Sequence, residues 1–308
     1  MLAIPHRPVL LHQALEGLSL RPDGVYLDAT FGRGGHARAI LARLGPSGRL
    51  LLNDRDPEAV AAARAEFGED PRVSIRHGNF ASIAEWPALA EGLDGALFDL
   101  GVSSPQLEDP GRGFSFLLDG PLDMRMDPHQ GETAADFLAR ASEAEIARVL
   151  RDYGEEPRAR RIARAIIAAR QQAPILRTRQ LAELIERLGG PRTAGRHPAT
   201  RSFQALRIQV NGELEALSQA LNAVIDRLRP GGRLVTIAFH SLEDRICKRA
   251  IGGTRPRPNT VPGRRLPPAP TPEPMLRPVG RPQRPDAEEI ERNPRARSAV
   301  MRIGERIR

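Results

Sequence analysis

The sequence predicts an α/β fold, a doubly wound, mostly parallel sheet with an inserted all-helical domain. The first hundred residues alternate between short apolar runs and amphipathic stretches, which is the pattern of repeated βαβ units. About 130 residues then separate the fourth apolar run from the fifth, far more than an ordinary connection needs. Because most of that interval has helical apolar periodicity, we expect a helical domain at this point and not a long loop.

Each strand is expected where a short apolar run ends in a polar or turn-forming residue. The expected strands are residues 25–29, 49–53, 73–76, 96–100, 233–239 and 298–303. Helices are expected to start near His36 and near Pro57. The second start is well marked, because Asp56 is a good N-cap, Pro57 suits the first helical position and Glu58 favours the positive end of the helix.

The inserted domain is expected to span residues 106–209, between the two parts of the sheet domain at 1–105 and 210–308. A loop rich in Gly, Pro and Asp occupies residues 103–130. The amphipathic stretches that follow predict helices at 134–139, 143–151, 158–169, 179–188 and 211–228.

The chain carries a surplus of positive charge. It has 308 residues and a formal net charge of +8, and Lys248 is the single lysine among its 46 basic residues. A GC-rich genome accounts for most of the exchange of lysine for arginine, but not for the surplus of base over acid. The surplus favours a polyanionic partner, and arginine suits one because its planar fork grips phosphate and stacks on bases.

Residues 255–285 stand apart in composition. They contain eleven prolines, seven arginines and one acid, Glu273, so they contribute +6. Such a stretch cannot bury a core, and we expect a mobile basic segment there.

Several protein classes are excluded at this stage. One cysteine, Cys247, excludes an intramolecular disulfide framework and a thiolate metal cluster, so no metal is expected. No run approaches the roughly 20 apolar residues that a membrane helix needs. Pro5, His6 and Arg7 interrupt the N-terminus, which lacks the apolar stretch of a secretory signal. We therefore expect a soluble, cytoplasmic protein with no membrane partner.

A glycine-rich segment ends the first strand and opens the first helix of the βαβ pattern. It has the form Gly-x-Gly-Gly at Gly32, Gly34 and Gly35, followed by His36. Glycines let the backbone turn sharply and approach a ligand closely, so the segment is either a ligand loop or a tight turn. Its spacing is not the Gly-x-Gly-x-x-Gly of dinucleotide sites, and a pyrophosphate cradle is therefore not supported.

A second cofactor signal is Asp54, at the tip of the second strand about 20 residues further on, where an acid typically binds ribose hydroxyls. Asp56 competes for this role, but its N-cap position already accounts for it. The loop and the acid together suggest a nucleoside cofactor without a pyrophosphate, and S-adenosylmethionine fits that description better than NAD. Phe80, after the third strand, either packs on an adenine face or belongs to the core.

Two further candidates end the fourth and fifth strands. Ligands of open α/β sheets bind at the carboxyl ends of strands near the switch in strand order, which places Asp99 beside the cofactor as a catalytic candidate. The alternative is that Asp99 only forms a turn. His240 points either at the substrate or into a polar network. Ser241 and Asp244 have the Ser-x-x-acid spacing of a helix N-cap.

The position of the thiol bears on the reaction. Methylation of a ring carbon of cytosine usually requires a thiolate to attack the base first. Cys247 lies about two helical turns beyond the strand end, where a small buried apolar group is expected. We therefore expect methyl transfer to nitrogen or oxygen.

These motifs resemble one family closely, the bacterial small-subunit (16S) ribosomal RNA (cytosine-N4)-methyltransferases. The matching stretches follow one another along nearly the whole chain, with 255–285 outside the match. They are residues 30–36 (TFGRGGH), 99–107 (DLGVSSPQL), 112–116 (RGFSF), 119–126 (DGPLDMRM), 197–201 (HPATR), 239–245 (FHSLEDR) and 293–298 (NPRARS).

The resemblance implies a class I methyltransferase fold, which is Rossmann-like and uses S-adenosylmethionine. It implies methyl transfer to N4 of a cytidine in the decoding region of small-subunit rRNA. The substrate is either free rRNA or an assembled particle, and we expect the assembled 30S subunit as the partner. Carried onto matching positions, the implied cofactor contacts are Gly34, Gly35, His36, Asp54, Phe80, Asp99 and Gln106.

The chemistry of N4 defines what catalysis needs. Its lone pair is delocalised into the ring, so acceptors for its N–H groups would aim the lone pair at the methyl group. We expect Asp99 or the backbone of 100–103 to supply one acceptor and His240 to orient the base. Positioning, with reacting atoms about 3–3.5 Å apart, then contributes more than a strong base does.

The target base also has to leave its stack, and RNA shape is expected to select it. The inserted domain is the candidate RNA clamp; the alternative for about half of its arginines is a solvated helix face. The candidate arginines are Arg158, Arg160, Arg161, Arg164, Arg177, Arg179 and Arg201.

Other functions fit parts of the sequence. A non-catalytic ribosome assembly factor with the same fold is disfavoured by the intact Gly34, Gly35, Asp54 and Asp99. A nucleotide-dependent oxidoreductase is disfavoured by the Gly-x-Gly-Gly loop. A DNA amino-methyltransferase is the nearest rival, although residues 99–102 (DLGV) are not its usual Asp-Pro-Pro-aromatic loop.

Overall fold

The computed structural model describes residues 8–189, 197–252 and 275–308. The chain divides into two compact units, one formed by Met1–Gly101 with Leu214–Arg308 and the other by Val102–Glu213. The expected insert at 106–209 falls inside the second unit. None of the helices in these described ranges is both long and apolar enough to cross a membrane.

The first unit is built on a twisted sheet whose strands follow the expected order along the chain. In the described residues the strands are β1 (Val25–Asp28), β2 (Arg49–Asp54), β3 (Val73–His77), β4 (Leu93–Asp99), β5 (Leu228–Ala238), β6 (Leu276–Pro278) and β7 (Val300–Arg306). Their order in the sheet is β3-β2-β1-β4-β5-β7-β6. Strands β1 to β5 are parallel, and β7 is antiparallel to both of its neighbours. The predicted mostly parallel sheet is confirmed.

The helices of the described residues divide between the two units. They are α1 (Leu11–Leu18), α2 (Gly35–Leu41), α3 (Pro57–Phe67), α4 (Ser104–Glu108), α5 (Ala134–Arg140), α6 (Glu143–Gly154), α7 (Ala159–Gln172), α8 (Thr178–Arg187), α9 (Thr200–Asn211), α10 (Glu213–Arg227), α11 (Ser241–Ile251) and α12 (Ala287–Arg292). As predicted, Asp56 caps α3 by accepting a hydrogen bond from the Glu58 amide at 3.0 Å.

Helices cover both faces of the sheet, so the winding is double, as predicted. On β2, Leu50 and Leu52 belong to the same apolar cluster as residues of α1, α2 and α3, whereas Leu51 belongs to the cluster that contains residues of α10 and α11. Successive strand side chains point to opposite faces, and a parallel strand covered on both faces is therefore apolar at every position.

The second unit has an apolar core of its own. Its helix α9 is absent from the sequence-based expectations, although Phe203, Leu206 and Val210 follow the helical spacing and pack into that core. The helix expected at 211–228 is α10, and Gly212, with φ 61°, separates it from α9. Only a residue tolerant of positive φ ends a helix in this way at little cost.

The sequence-based expectation for residues 255–285 is wrong at its end. Residues 253–274 lie outside the described residues, but 275–285 include β6, which pairs with β7. Leu276 is buried and anchors this short strand in the core. Pro278 is tolerated because β6 is an edge strand, where a missing amide donor breaks no ladder.

A buried carboxylate ties together the amino ends of the central strands. Asp94 Oδ2 accepts hydrogen bonds from the Val25 amide of β1 at 2.8 Å and from Arg229 Nη1 of β5 at 2.7 Å. Asp94 Oδ1 pairs with Arg21, which precedes β1. Three neighbouring strands therefore share one acceptor.

Replacing Asp94 with alanine is expected to lower the free energy of unfolding by roughly 2–4 kcal/mol, because the partly buried donors lose their acceptor. Urea denaturation measures this loss. The matched control is Asp23→Ala, at an exposed position in the turn before β1, which is expected to change stability by less than about 0.5 kcal/mol. Equal effects of the two substitutions would contradict the role of Asp94.

Candidate active site

The strand order reverses between β1 and β4, and the loops that leave these two strands meet. The Asp99 amide, at the end of β4, donates a hydrogen bond to Thr30 Oγ1, just after β1, at 2.8 Å. The Ala29 amide donates to the Leu97 carbonyl at 2.9 Å. In open α/β sheets, the carboxyl edge at such a reversal is where ligands bind.

The glycine loop turns tightly above β1. Gly32 and Gly34 have positive φ values of 55° and 73°, which L side chains rarely adopt. A Cβ at Gly34 would lie 2.7 Å from the Phe31 ring, and one at Gly35 would lie 2.1 Å from Pro8. The two candidate contacts Gly34 and Gly35 are therefore also required by packing. A ligand could therefore contact the backbone of Gly34 and Gly35, but the space beside their Cα atoms is already filled by Phe31 and Pro8.

Asp54 closes this loop from β2. Its Oδ2 accepts a hydrogen bond from the Gly32 amide, and its Oδ1 accepts one from the Asp56 amide, both at 2.8 Å. Burial raises the pKa of Asp54 to about 6, although these two amides act to lower it. The Arg55 amide is a third donor to this carboxylate, which has about four acceptor sites, so it can still accept a hydrogen bond from a hydroxyl group.

Asp99 and His36 form a close pair at the same edge. His36 Nε2 lies 3.5 Å from Asp99 Oδ2, and the side chain of Asp99 is 23% exposed. Burial acts to lower the pKa of His36, but the neighbouring carboxylates, chiefly Asp99, together raise it above its ordinary value. Among the described residues, Asp99 Oδ1 has no hydrogen-bond partner.

Asp28, at the end of β1, is a member of the site that the sequence analysis did not single out. It is 1% exposed, and its Oδ1 accepts a hydrogen bond from the Thr30 amide at 3.1 Å. Burial raises its pKa to about 7, while the charge of His36 acts in the opposite direction. The available signal was its position, because an acid that ends a strand just before a glycine loop faces the ligand edge.

The structure corrects the cap predicted for α11. The N-cap is His240, one residue before the expected Ser241. His240 Nδ1 accepts a hydrogen bond from the Glu243 amide at 3.3 Å, and Glu243 Oε2 accepts one from the Phe239 amide at 2.8 Å. His240 Nε2 lies 3.1 Å from Glu243 Oε1. The Nδ1 contact supports the polar network, whereas Nε2 has no hydrogen-bond partner among the described residues, so the substrate-facing role of His240 stays a prediction.

Phe80 and Gln106 are both held by neighbours within their own units. The Phe80 ring meets the Phe98 ring edge-to-face at a centroid distance of 6.0 Å and packs at the margin of the core. Gln106 lies in α4 of the second unit, and its Oε1 accepts a hydrogen bond from the Ser103 amide at 2.9 Å. Their predicted cofactor contacts stay predictions.

Cys247 is fully buried, as expected. Burial raises the pKa of its thiol to about 12, so it is not a thiolate at neutral pH. This supports the expectation that the reaction does not attack a ring carbon through a cysteine.

The residues at this edge fit S-adenosylmethionine. Asp54 offers carboxylate lone pairs that ribose hydroxyls require, the glycine loop offers close backbone approach, and Asp99 Oδ1 is a buried acceptor without a partner among the described residues. Nothing in the set provides a pyrophosphate cradle. This strand order, with such a loop and acid at its reversal, agrees with the class I methyltransferase fold that the motifs predict.

Comparison with known proteins extends this assignment. The model of the MraW methylase family matches residues 3–307. A protein of Xylella fastidiosa (strain M12), named "Ribosomal RNA small subunit methyltransferase H", is 58% identical over 307 residues, which cover 98% of this chain and 97% of that protein. A protein of the same name from Stenotrophomonas maltophilia (strain K279a) is 56% identical over 302 residues, which cover 98% of this chain and 93% of that protein. The chain belongs to the MraW methylase family, as its motifs predicted.

Among solved structures, an rRNA methylase from Streptococcus thermophilus is similar with a TM-score of 0.45 and 12% identity, covering 99% of this chain and 100% of that one. At that level, the similarity adds nothing to the fold and family described above.

Removal of the Thr30 hydroxyl is expected to separate the two loops. Thr30→Val leaves the Asp99 amide without its acceptor, and we expect a loss of about 1–2 kcal/mol in the free energy of unfolding, together with weaker binding of S-adenosylhomocysteine. Urea denaturation and calorimetry measure the two effects. Thr30→Ser keeps the hydroxyl and is expected to retain the binding. If valine and serine behave alike, the hydrogen bond does not hold the loops together.

Proposed function

We propose that this enzyme transfers a methyl group from S-adenosylmethionine to the exocyclic N4 amine of a specific cytidine in the decoding region of small-subunit rRNA. The observation that carries the proposal is the meeting of the Thr30 and Asp99 loops at the reversal of the sheet, with the free oxygen of Asp99 at that edge. The names of the relatives, which are 56–58% identical over nearly the whole chain, point to the same substrate class.

The cofactor is held by the first unit in this proposal. Asp54 accepts hydrogen bonds from the ribose hydroxyls, and the backbone at Gly34, Gly35 and His36 lies against the rest of the molecule. Phe80 covers the adenine, and the family resemblance implies Gln106 as a further cofactor contact. When bound, S-adenosylmethionine supplies a methyl group that its sulfonium has activated.

Asp99 is the proposed catalytic residue. Its Oδ1 accepts a hydrogen bond from an N–H of the cytosine amine, which directs the nitrogen lone pair toward the methyl group. His240 and Glu243 fix the turn after β5, through which the base is oriented. The proton that the amine loses passes to water or to a weak acceptor, so no strong base is needed. Most of the rate enhancement then comes from positioning.

The proposed RNA contacts lie in the second unit. Four of the candidate arginines already have partners within the protein. Three form ion pairs with acids, Arg158 with Glu156, Arg164 with Glu143 and Arg177 with Asp119. Arg201 donates a hydrogen bond to the Glu155 carbonyl. The side chains of Arg160, Arg161 and Arg179 are exposed, and Arg179 has Asp119 as a charged neighbour. Of the seven candidate arginines, these three are the proposed phosphate contacts.

The assembled 30S subunit is the proposed form of the substrate, because RNA shape, and not a base-edge code, would select a single cytidine. A ribosomal substrate also places the enzyme in the cytoplasm. Affinity for this substrate should fall steeply with added salt if the arginines bind phosphates.

Labelled S-adenosylmethionine, supplied with small subunits, naked rRNA or DNA in separate reactions, tests the function. Label is expected in N4 of one cytidine of the small subunit and not in DNA. Asp99→Asn is expected to lower kcat by roughly 10²-fold, because the amide offers a weaker acceptor to the amine. His240→Asn keeps an N-cap acceptor and is expected to cost about tenfold or less. Labelling of DNA alone would establish the rival amino-methyltransferase, and absence of any transfer would favour an assembly factor.

The affinity for the cofactor product is expected to depend on pH through Asp54. Ribose hydroxyls need the ionised carboxylate, so affinity should be constant above the Asp54 pKa of about 6 and fall, approaching tenfold per pH unit, below it. Calorimetry of S-adenosylhomocysteine binding between pH 5 and pH 8 measures this fall. Asp54→Asn is expected to bind weakly and without the break near pH 6. A profile that is flat in the unaltered protein would contradict the ribose role.

A further inference from the structure

Three ionisable side chains share the carboxyl edge of β1 and β4, and the proposed chemistry uses only one of them. Asp28 and His36 are 1% and 5% exposed, and His36 Nε2 lies 3.5 Å from Asp99 Oδ2. Among the described residues, Asp28 Oδ2, both ring nitrogens of His36 and Asp99 Oδ1 have no hydrogen-bond partner. Buried polar atoms without partners are rare and costly, so four of them at one edge require an explanation.

The charges at this edge are strongly coupled. The groups that act on His36 are Asp99 of β4, Asp28 of β1 and Glu289 of α12, all of them acids. Asp28 in turn is influenced by His36, Asp99 and Asp54. Burial raises the pKa of Asp28 to about 7, so this carboxyl is partly protonated near neutral pH. Ionisation of Asp28 therefore changes the net charge at this edge by one.

We propose that Asp28, His36 and Asp99, here called the buried triad, sense the charge of the cofactor and favour the cationic sulfonium over its neutral thioether product. The inference rests on the proposed function, since it requires this edge to hold the cofactor. A cation bound at the edge stabilises the ionised form of Asp28, because opposite charges interact strongly where water is excluded. Asp28 therefore releases its proton when the sulfonium binds.

The reverse change follows methyl transfer. The product carries no charge on sulfur, so ionised Asp28 loses its counter-charge and takes up a proton again. The protein consequently holds the cofactor more tightly than the product at pH values above the pKa of Asp28. His36 has a positioning role in this scheme: its positive charge keeps the Asp28 pKa low enough to titrate near neutral pH.

Proton linkage in calorimetry tests the inference without an activity measurement. The full chain is titrated at pH 7 with S-adenosylmethionine and, separately, with S-adenosylhomocysteine, in buffers of different ionisation enthalpy. The sulfonium is expected to release about half a proton more than the thioether does, because a group with a pKa near 7 is half protonated at that pH. In Asp28→Asn, this difference in proton release between the two ligands is expected to disappear, and the preference for the sulfonium is expected to fall roughly tenfold.

A second variant keeps the test decisive if Asp28→Asn is unstable. His36→Gln removes the cation that lowers the Asp28 pKa, so the pH of maximal proton release is expected to move above 7. Equal proton release for the two ligands, or an unchanged profile in His36→Gln, would overturn the inference while leaving the proposed function intact. If neither ligand binds, the proposed function fails, and the inference fails with it.

Discussion

The hydrogen bond from the Asp99 amide to the Thr30 hydroxyl is the contact on which the rest of the site depends. It joins two loops that are separated by 69 positions in the chain and by the reversal of strand order in the sheet. Parallel pairing of β1 with β4 brings the loops near, and this bond fixes their mutual position. Because these loops meet, Asp54, the glycine loop and Asp99 can act on one ligand in the proposed roles.

Burial gives this edge its chemical character. Carboxylates at strand ends are removed from water by the packing of helices on both faces, and Asp28 and Asp54 therefore titrate near neutral pH. The same packing makes Cys247 inert. The fold thus places acids that titrate near neutral pH at the ligand edge and withholds a nucleophilic thiolate, which agrees with the proposed methylation of a nitrogen.

Local signals predicted the strand ends and the α3 cap, because apolar runs and an Asp-Pro-Glu start act within a few residues. Asp54 and Asp99 could be placed at the ligand edge for the same reason. The β6 strand could not be predicted, since its stability comes from pairing with β7 and from burial of Leu276. The cap of α11 was assigned one residue late, because His240 resembles a catalytic residue while Ser241 resembles a cap. The proposed role of Asp28 could not be predicted, because it depends on the charge of His36, which comes close to Asp28 only in the folded chain.

A crystal structure of the protein with S-adenosylhomocysteine is the most direct test of the central claim. The claim predicts one ligand at the carboxyl edge between β1 and β4. Its ribose hydroxyls are expected to bind Asp54, and its sulfur is expected to lie closer to Asp99 than to the amino edge of the sheet. A ligand bound elsewhere, or bound with the Thr30 and Asp99 loops drawn apart, would contradict it.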